Sequence, residues 1–318
     1  MKIPFFWCDM NNFGDALNPI IFKRLIGVDI KPVSFENAEF IGIGSLLDMC
    51  LMDSHDKKFM KKPLFVFSTG IGFEEGGFFH NPYILLPERL KRNMHCFALR
   101  GKLTDARMEK MLGHKTGAVI GDGGLLVSKL IDKSKIKPKY DLGIVPHFAD
   151  KNNPVFKKIH KNIKNSVILD PTVSVDEFLH NLCECRAVIS TAMHPLIACD
   201  SLRIPNLWVR ISEETTSRYK FHDYYSVFNK HKEPFDLLNN DFTEDTLKMI
   251  SKKYDISDKD VAKVQEDLMS AVYKVKGQIR KLRAQIFIKR IRDFCVRFLC
   301  LFVPVKKLRR KIRNYLML

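Results

Sequence analysis

The chain lacks any long apolar run. Residues 298–303 make a stretch of six near the carboxyl terminus, far short of the ~20 needed to span a bilayer, so this stretch cannot cross one. The eight cysteines form no CxxC pair and no disulfide-framework spacing, which leaves a reducing cytosol as the simplest environment. The opening MKIPFFWCDMNN has too short an apolar stretch for a signal peptide, and the chain is expected to stay in the cytoplasm. There is no internal repeat and no low-complexity tract.

Acidic residues are scarce at one end only. The 318 residues carry 53 Lys and Arg against 36 Asp and Glu, a net charge of +17. From residue 273 onward there are 15 basic residues and one acid, Asp293, leaving 38 against 35 for residues 1–272. The body is therefore almost neutral and shows no nucleic-acid footprint. An apolar content of 46% is ample for real cores, and the length suits two domains and an appendage.

Short β-branched or apolar stretches alternate with glycine or polar turns and helical patterns. Strands are expected at 39–43, 64–67, 96–99, 118–120, 142–145, 167–169, 187–190 and 207–211. Such alternation argues for parallel sheets covered by helices on both faces, an α/β class. The lysine-rich connector DKSKIKPK at 132–139 interrupts the series. Domains are accordingly expected at 1–135, 136–272 and 273–318, the last a basic amphipathic helical tail.

The most informative segment is VISTAMHPLIACDSLRIPNLW, residues 188–208. A strand ends at Ser190, and Pro195 suits the first position of a helix whose Leu196, Ile197, Cys199 and Leu202 recur at helical spacing. His194 thus falls at a strand-to-helix junction. In open parallel sheets such junctions collect ligands, and helix amino ends favour anions.

This segment resembles the polysaccharide pyruvyl transferase family through Ser190, Thr191, Met193, His194, Leu196, Ile197, Ala198, Ile204 and Pro205. Five further fragments appear in the family's order: Asn12, Gly14, Asp15 and Leu17; Thr69, Gly70, Ile71 and Gly72; Arg100 in ALRGKLT; Gly121 and Asp122 in IGDGGLL; Pro146 and His147 in VPHFAD. Lys220 and Asp223 follow in KFHDYY. The resemblance implies two Rossmann-like doubly wound domains facing a cleft, as in B-type glycosyltransferases. It also implies transfer of the pyruvyl unit of phosphoenolpyruvate to two hydroxyls of one sugar, giving a cyclic ketal and phosphate. That chemistry needs a proton donor, cationic groups for phosphate and carboxylate, and a base; it needs no metal and no cofactor beyond the donor substrate.

His194 is the candidate general acid, set against a capping or core histidine. A helix amino end favours the neutral ring, so a bound dianion is needed to arm it. Arg100 and Lys220 are candidate donor clamps, set against a surface salt bridge and an exposed lysine. Asp15, at a turn before a helix beginning near Ala16, reads equally as base, acceptor anchor or plain helix cap. His147 is a further donor contact or a loop histidine. Asn12, Gly14, Gly70, Gly72 and Asp122 shape the acceptor side and its loops, and Gly123 and Gly124 permit tight turns. Where family members have an arginine two residues before the histidine, this chain has Ala192; either Arg100, Lys220 and helix N–H groups hold the anion alone, or another arginine such as Arg210 or Arg218 substitutes.

Two rival readings remain open: a nucleotide-sugar glycosyltransferase of the same fold, and a catalytically silent membrane scaffold. Under the family reading the partners are phosphoenolpyruvate, a lipid-linked or oligosaccharide acceptor of bacterial surface polysaccharide synthesis, and an anionic membrane surface. The tail supplies the last. Ile279, Leu282, Ile286, Phe294, Phe298, Leu301, Leu308, Ile312 and Tyr315 recur near helical spacing among Lys and Arg on either side of Pro304, suiting a helix in the interface of the inner membrane face.

Overall fold

In the computed structural model, which describes residues 2–8, 10–48, 63–74, 93–212 and 217–301, the chain divides into two compact units, Met1–Val272 and Tyr273–Leu318. The first unit is an α/β body with two sheets whose strand pairings are all parallel. One sheet contains β1 (Ile3–Phe6), β2 (Ile30–Pro32), β3 (Phe40–Ile41), β4 (Leu64–Thr69), β5 (Met94–Leu99) and β6 (Val119–Ile120), in the order β2-β1-β3-β4-β5-β6. The other contains β7 (Tyr140–Val145), β8 (Ser166–Ile168), β9 (Cys185–Ser190), β10 (Asn206–Arg210) and β11 (Phe235–Asp236), ordered β11-β10-β9-β7-β8.

The composition of the central strands explains this covering. Every residue of β4 is buried, and a strand buried on both faces reads as a continuous apolar run rather than an alternation. Helices supply the cover: α1 (Phe13–Ile21), α2 (Lys102–Leu112), α3 (Pro154–Asn162), α4 (Val175–Cys183), α5 (Met193–Leu202), α6 (Arg218–Ser226) and α7 (Glu244–Lys253). The helix α8 (Asp258–Leu301) begins in the first unit and runs on into the second.

Each sheet reverses its winding once. The chain leaves β1 for β2 on one side and β3 on the other; it leaves β7 for β8 on one side and β9 on the other. Crevices at the carboxyl ends of such strands are where ligands bind in doubly wound sheets.

The expected strands are all present, with different limits, and β1, β2 and β11 are additional. β3 is shorter than the expected 39–43 because buried Asn18 claims the next backbone groups: Ile43 N donates to Asn18 Oδ1 at 2.8 Å and Asn18 Nδ2 donates to Ile43 O at 3.0 Å. Two helix starts also need correction. α5 begins at Met193, so Pro195 is its third residue rather than its first; the first turn has no intrahelical use for its N–H groups, and proline is tolerated throughout it. α1 begins at Phe13, and Asn12 is its cap, accepting from Asp15 N at 3.1 Å. Asp15 therefore lies inside the first turn and does not cap the helix.

In the second unit, α8 exposes Phe287, Ile288, Ile291, Phe294 and Phe298. Among the described residues no helix is long and apolar enough to cross a membrane. The expected apolar positions Leu308, Ile312 and Tyr315, with Pro304, lie outside the described residues.

Candidate active site

Four strand-to-helix turns from the two points of reversed winding meet at one cavity of about 210 Å³. Asn12, Gly14 and Asp15 come from the turn after β1, Ser45 from that after β3, His147 from that after β7, and His194 from that after β9; Lys220 reaches in from α6. The amino ends of α1 and α5 both open on this space, so unpaired N–H groups and two positive dipole ends face whatever occupies it.

His194 is held on both sides. A β-carbon added to Gly14 would overlap the imidazole, Nδ1 foremost, so only glycine lets α1 approach so closely. On the other side Nε2 lies 3.9 Å from Asp122 Oδ2. Both atoms are buried with no hydrogen-bond partner among the described residues. Asp122 is fixed through its other oxygen, which accepts from Gly124 N at 2.8 Å. Ser68 fixes the same loop: its Oγ donates to Gly121 O at 2.8 Å and accepts from Gly123 N. Ser68 has a φ of 66°, a left-handed conformation that costs of order 1 kcal/mol or more for a non-glycine residue and recurs at functional sites.

The charges follow from this burial. Desolvation, then the nearby charges of Arg100 and Lys220 and, least, the His147 ring when protonated, push the His194 ring down to about 3. The ring is neutral at rest. Burial pushes Asp122 up to about 6, against the Gly124 N–H and the field of Arg100. His147, whose backbone N–H donates to Thr191 Oγ1 at 2.8 Å, has its ring brought down to about 4 by burial and then by Lys220. Lys220 is lowered to about 8 by burial and Arg100, with Asp15 and Asp150 opposing. Asn12 Nδ2 donates to Asp15 Oδ2 at 2.5 Å, orienting that carboxylate within the first turn of α1.

Arg100, Gly70 and Gly72 stand behind the cavity rather than in its wall. The Arg100 guanidinium is fully buried. Its Nε donates to Asp223 Oδ2 at 2.9 Å, one terminal nitrogen donates to Ser45 Oγ at 2.8 Å, and the other donates to the Ile71 carbonyl. Asp223 also accepts from Thr104 N at 2.8 Å and Thr104 Oγ1 at 2.7 Å, so a carboxylate from α6 caps α2. Gly70 leaves room for the guanidinium. Gly72 N donates at 2.5 Å to Asp48, which burial pushes up to about 6. Arg210 and Arg218, the suggested replacements at Ala192, bond Asp236 at 2.7 Å and Glu233 at 3.5 Å respectively and do not line the cavity.

Sequence reasoning did not find Ser68, Asp48 or the Arg100–Asp223 pair. Ser68 and Asp48 sit beside glycine motifs whose glycines drew the attention, and the partners of Arg100 lie up to 123 positions away. Among the described residues, the three side chains that could share a metal ion, His222, His231 and Glu233, are not in the cavity wall.

The family model described as polysaccharide pyruvyl transferase matches residues 12–213, a span from the cap of α1 to just beyond β10. Similar over 234 residues is an uncharacterized protein, L143, of Acanthamoeba polyphaga mimivirus, 25% identical across 70% of this chain and 73% of its own length.

Proposed function

Because the chain belongs to the polysaccharide pyruvyl transferase family, and is thus a transferase of polysaccharide biosynthesis, we propose that it moves the pyruvyl unit of phosphoenolpyruvate onto two hydroxyls of a sugar residue. The observation that carries this reading is the convergence of two helix amino ends, Lys220 and a neutral His194 backed by Asp122 on one cavity. Those groups suit a small substrate with two anionic ends and a carbon that must be protonated.

The chemistry runs as follows. Phosphate and carboxylate settle against the helix N–H groups and Lys220, and their charge raises the His194 pKa until the ring holds a proton. His194 gives that proton to the methylene carbon, the first hydroxyl adds to the adjacent carbon, and the hydroxyl proton passes to a base. Asp15 or the now neutral His194 serves as that base. Phosphate then leaves, the second hydroxyl adds at the same carbon, and the ketal closes. One hydroxyl proton ends on the new methyl group and the other on phosphate.

The two parallel sheets are read as the halves of a B-type glycosyltransferase arrangement, divided near residues 135 and 136 between β6 and β7. The acceptor is taken to be a lipid-linked or free oligosaccharide destined for a bacterial surface polysaccharide. The exposed apolar residues of α8 among lysines and arginines support binding at the inner face of the membrane.

The test is acceptor-dependent phosphate release from phosphoenolpyruvate, with the ketal methyl group identified on the sugar product. Consumption of a nucleotide sugar instead would make the chain a glycosyltransferase. No turnover of either donor would favour the scaffold reading.

A further inference from the structure

Outside the cavity wall, three potential metal ligands come together at α6 and the segment after it. His222 lies on the helix, and His231 and Glu233 lie in the segment that leads from it to β11. Their ligand atoms all fall within 4.8 Å of one another. Glu233 Oε1 is 3.2 Å from His222 Nε2 and 3.0 Å from His231 Nε2. A tetrahedral zinc ion with ligands at about 2.0–2.2 Å sets its donor atoms roughly 3.3–3.6 Å apart, so these two edges are a few tenths of an ångström short of those of a coordination tetrahedron.

A second observation separates this group from an ordinary ion pair. His222 Nε2 is buried and has no hydrogen-bond partner among the described residues, although the carboxylate oxygen is 3.2 Å away. That oxygen is hydrogen-bonded to His231 instead. Two imidazole nitrogens thus converge on one oxygen, and only one of them bonds it. The rings themselves lie 4.4 Å apart at 34°, and the edge of His222 rests against Trp208, which fixes its direction. Nearby cations have other uses: Lys230 and Lys232 pair with Asp255, while Arg218 approaches the second Glu233 oxygen at 3.5 Å.

We propose that His222, His231 and Glu233 bind a divalent transition-metal ion of the zinc class, with water completing the coordination. Two imidazoles and a carboxylate suit zinc and exclude the hard-cation preference of magnesium or calcium for all-oxygen sites. The site is distinct from the chemistry of the cavity. Its effect is to clamp the segment after α6 onto the helix that carries Lys220 and Asp223.

The experiment uses the full chain, stripped with a chelator, loaded with Zn²⁺ or Co²⁺ and dialysed. Wild type should retain about one ion, and its cobalt form should show the visible d–d bands of a four-coordinate nitrogen and oxygen site without thiolate charge transfer. Zinc should raise the unfolding temperature. His231→Ala, at a position 71% exposed and thus harmless to folding, and the pair His222→Gln/His231→Ala should lose at least tenfold in affinity and lose the zinc-dependent shift. Retention unchanged in the double variant, strong thiolate-to-cobalt bands pointing to the cysteines, or a wild type that keeps no metal would each overturn the proposal.

Discussion

Nε2 of His194 faces Oδ2 of Asp122 across 3.9 Å, and neither atom has another partner among the described residues. The gap exceeds a hydrogen bond, and the pair is set to close when the ring carries a proton and the carboxyl does not. Asp122 is raised to about 6 from an ordinary 3.8. The native state therefore binds more protons than the unfolded chain between those values, and stability falls as pH rises through that window. Above it, Asp122 is a buried carboxylate that costs roughly 1–3 kcal/mol. Asp122→Asn keeps the bond from Gly124 and removes the charge. It should unfold at a higher temperature than wild type at pH 7.5 while turnover drops at least ~10-fold. Wild-type kcat/KM should fall below about pH 6 as Asp122 takes up a proton, and Asp122→Asn should lose that fall. A variant no more stable than wild type would mean that the carboxylate is not held at a cost.

His194, brought down to about 3, has no proton to give before a donor binds. Phosphoenolpyruvate must supply the opposite charge that raises it. Binding near pH 7 should take up about one proton at this ring, measured as a dependence of calorimetric heat on the ionisation enthalpy of the buffer. His194→Gln should bind the donor with that uptake gone and turn over roughly 100- to 10,000-fold more slowly. Identical uptake in the variant would move the acid to another residue.

Gly14→Ala tests the other face of the ring. The added methyl group would overlap Nδ1, Cγ and Cε1 of His194, so either α1 or the imidazole must shift. A misplacement of about 1 Å in a reacting group can cost on the order of 100-fold. Turnover should fall by that order, and donor affinity should change less, because Lys220 and the amino end of α5 also hold the donor. Wild-type turnover in Gly14→Ala would show that the ring's position is not critical.

Much of this site was legible because its parts are local. Strand, glycine turn and helix recur at short spacing, and His194, Gly14, His147 and Asp15 each sit at such a turn, so reversed winding brings them together. The depth of Arg100 was not legible. A guanidinium after a strand reads as an anion clamp, whereas its surroundings are decided by Asp223, Ser45 and Ile71, which no spacing rule connects to it. The helix starts at Met193 and Phe13 were misjudged for a related reason, since proline and aspartate are acceptable anywhere in a first turn. Asn12 and Asp15 both suit a helix start, and only the backbone shows which one is the cap.

The buried pair of Arg100 and Asp223 leads to a contrast with Lys220. Both charges of the pair are wholly removed from solvent, and deleting one leaves the other uncompensated, typically a loss of about 3–5 kcal/mol. Arg100→Met and Asp223→Leu should each unfold at markedly lower temperature, and the double variant should recover part of the loss. Lys220→Ala should fold normally and weaken phosphoenolpyruvate binding by roughly 10- to 100-fold, the worth of one charge-assisted contact. A normally stable Arg100→Met with weakened donor binding would restore the clamp role to Arg100. Thermal unfolding and donor titration on the same preparations distinguish the two.

The second unit carries an apolar face on α8. Phe287, Ile291, Phe294 and Phe298 are 63%, 47%, 68% and 51% exposed, and their spacings of four, three and four residues align them along one face of α8. Lysines and arginines at 281, 283, 289, 290, 292 and 297 surround them. A helix with large apolar side chains on one face and dense positive charge beside it gains from both apolar burial and attraction to anionic headgroups, the latter about 1 kcal/mol per basic residue near the surface. Full-length protein should float with vesicles rich in anionic lipid, and less of it should float as salt is raised, because surface attraction is screened. Replacing Phe287, Ile291 and Phe294 by serine removes the apolar part while leaving every positive charge in place. The substituted protein should stay with the vesicles only at low salt, and its turnover on a water-soluble acceptor should match wild type. Full-length protein that ignores anionic vesicles at low salt, or a serine variant that floats as well as wild type at physiological salt, would remove the apolar face of α8 from any membrane role.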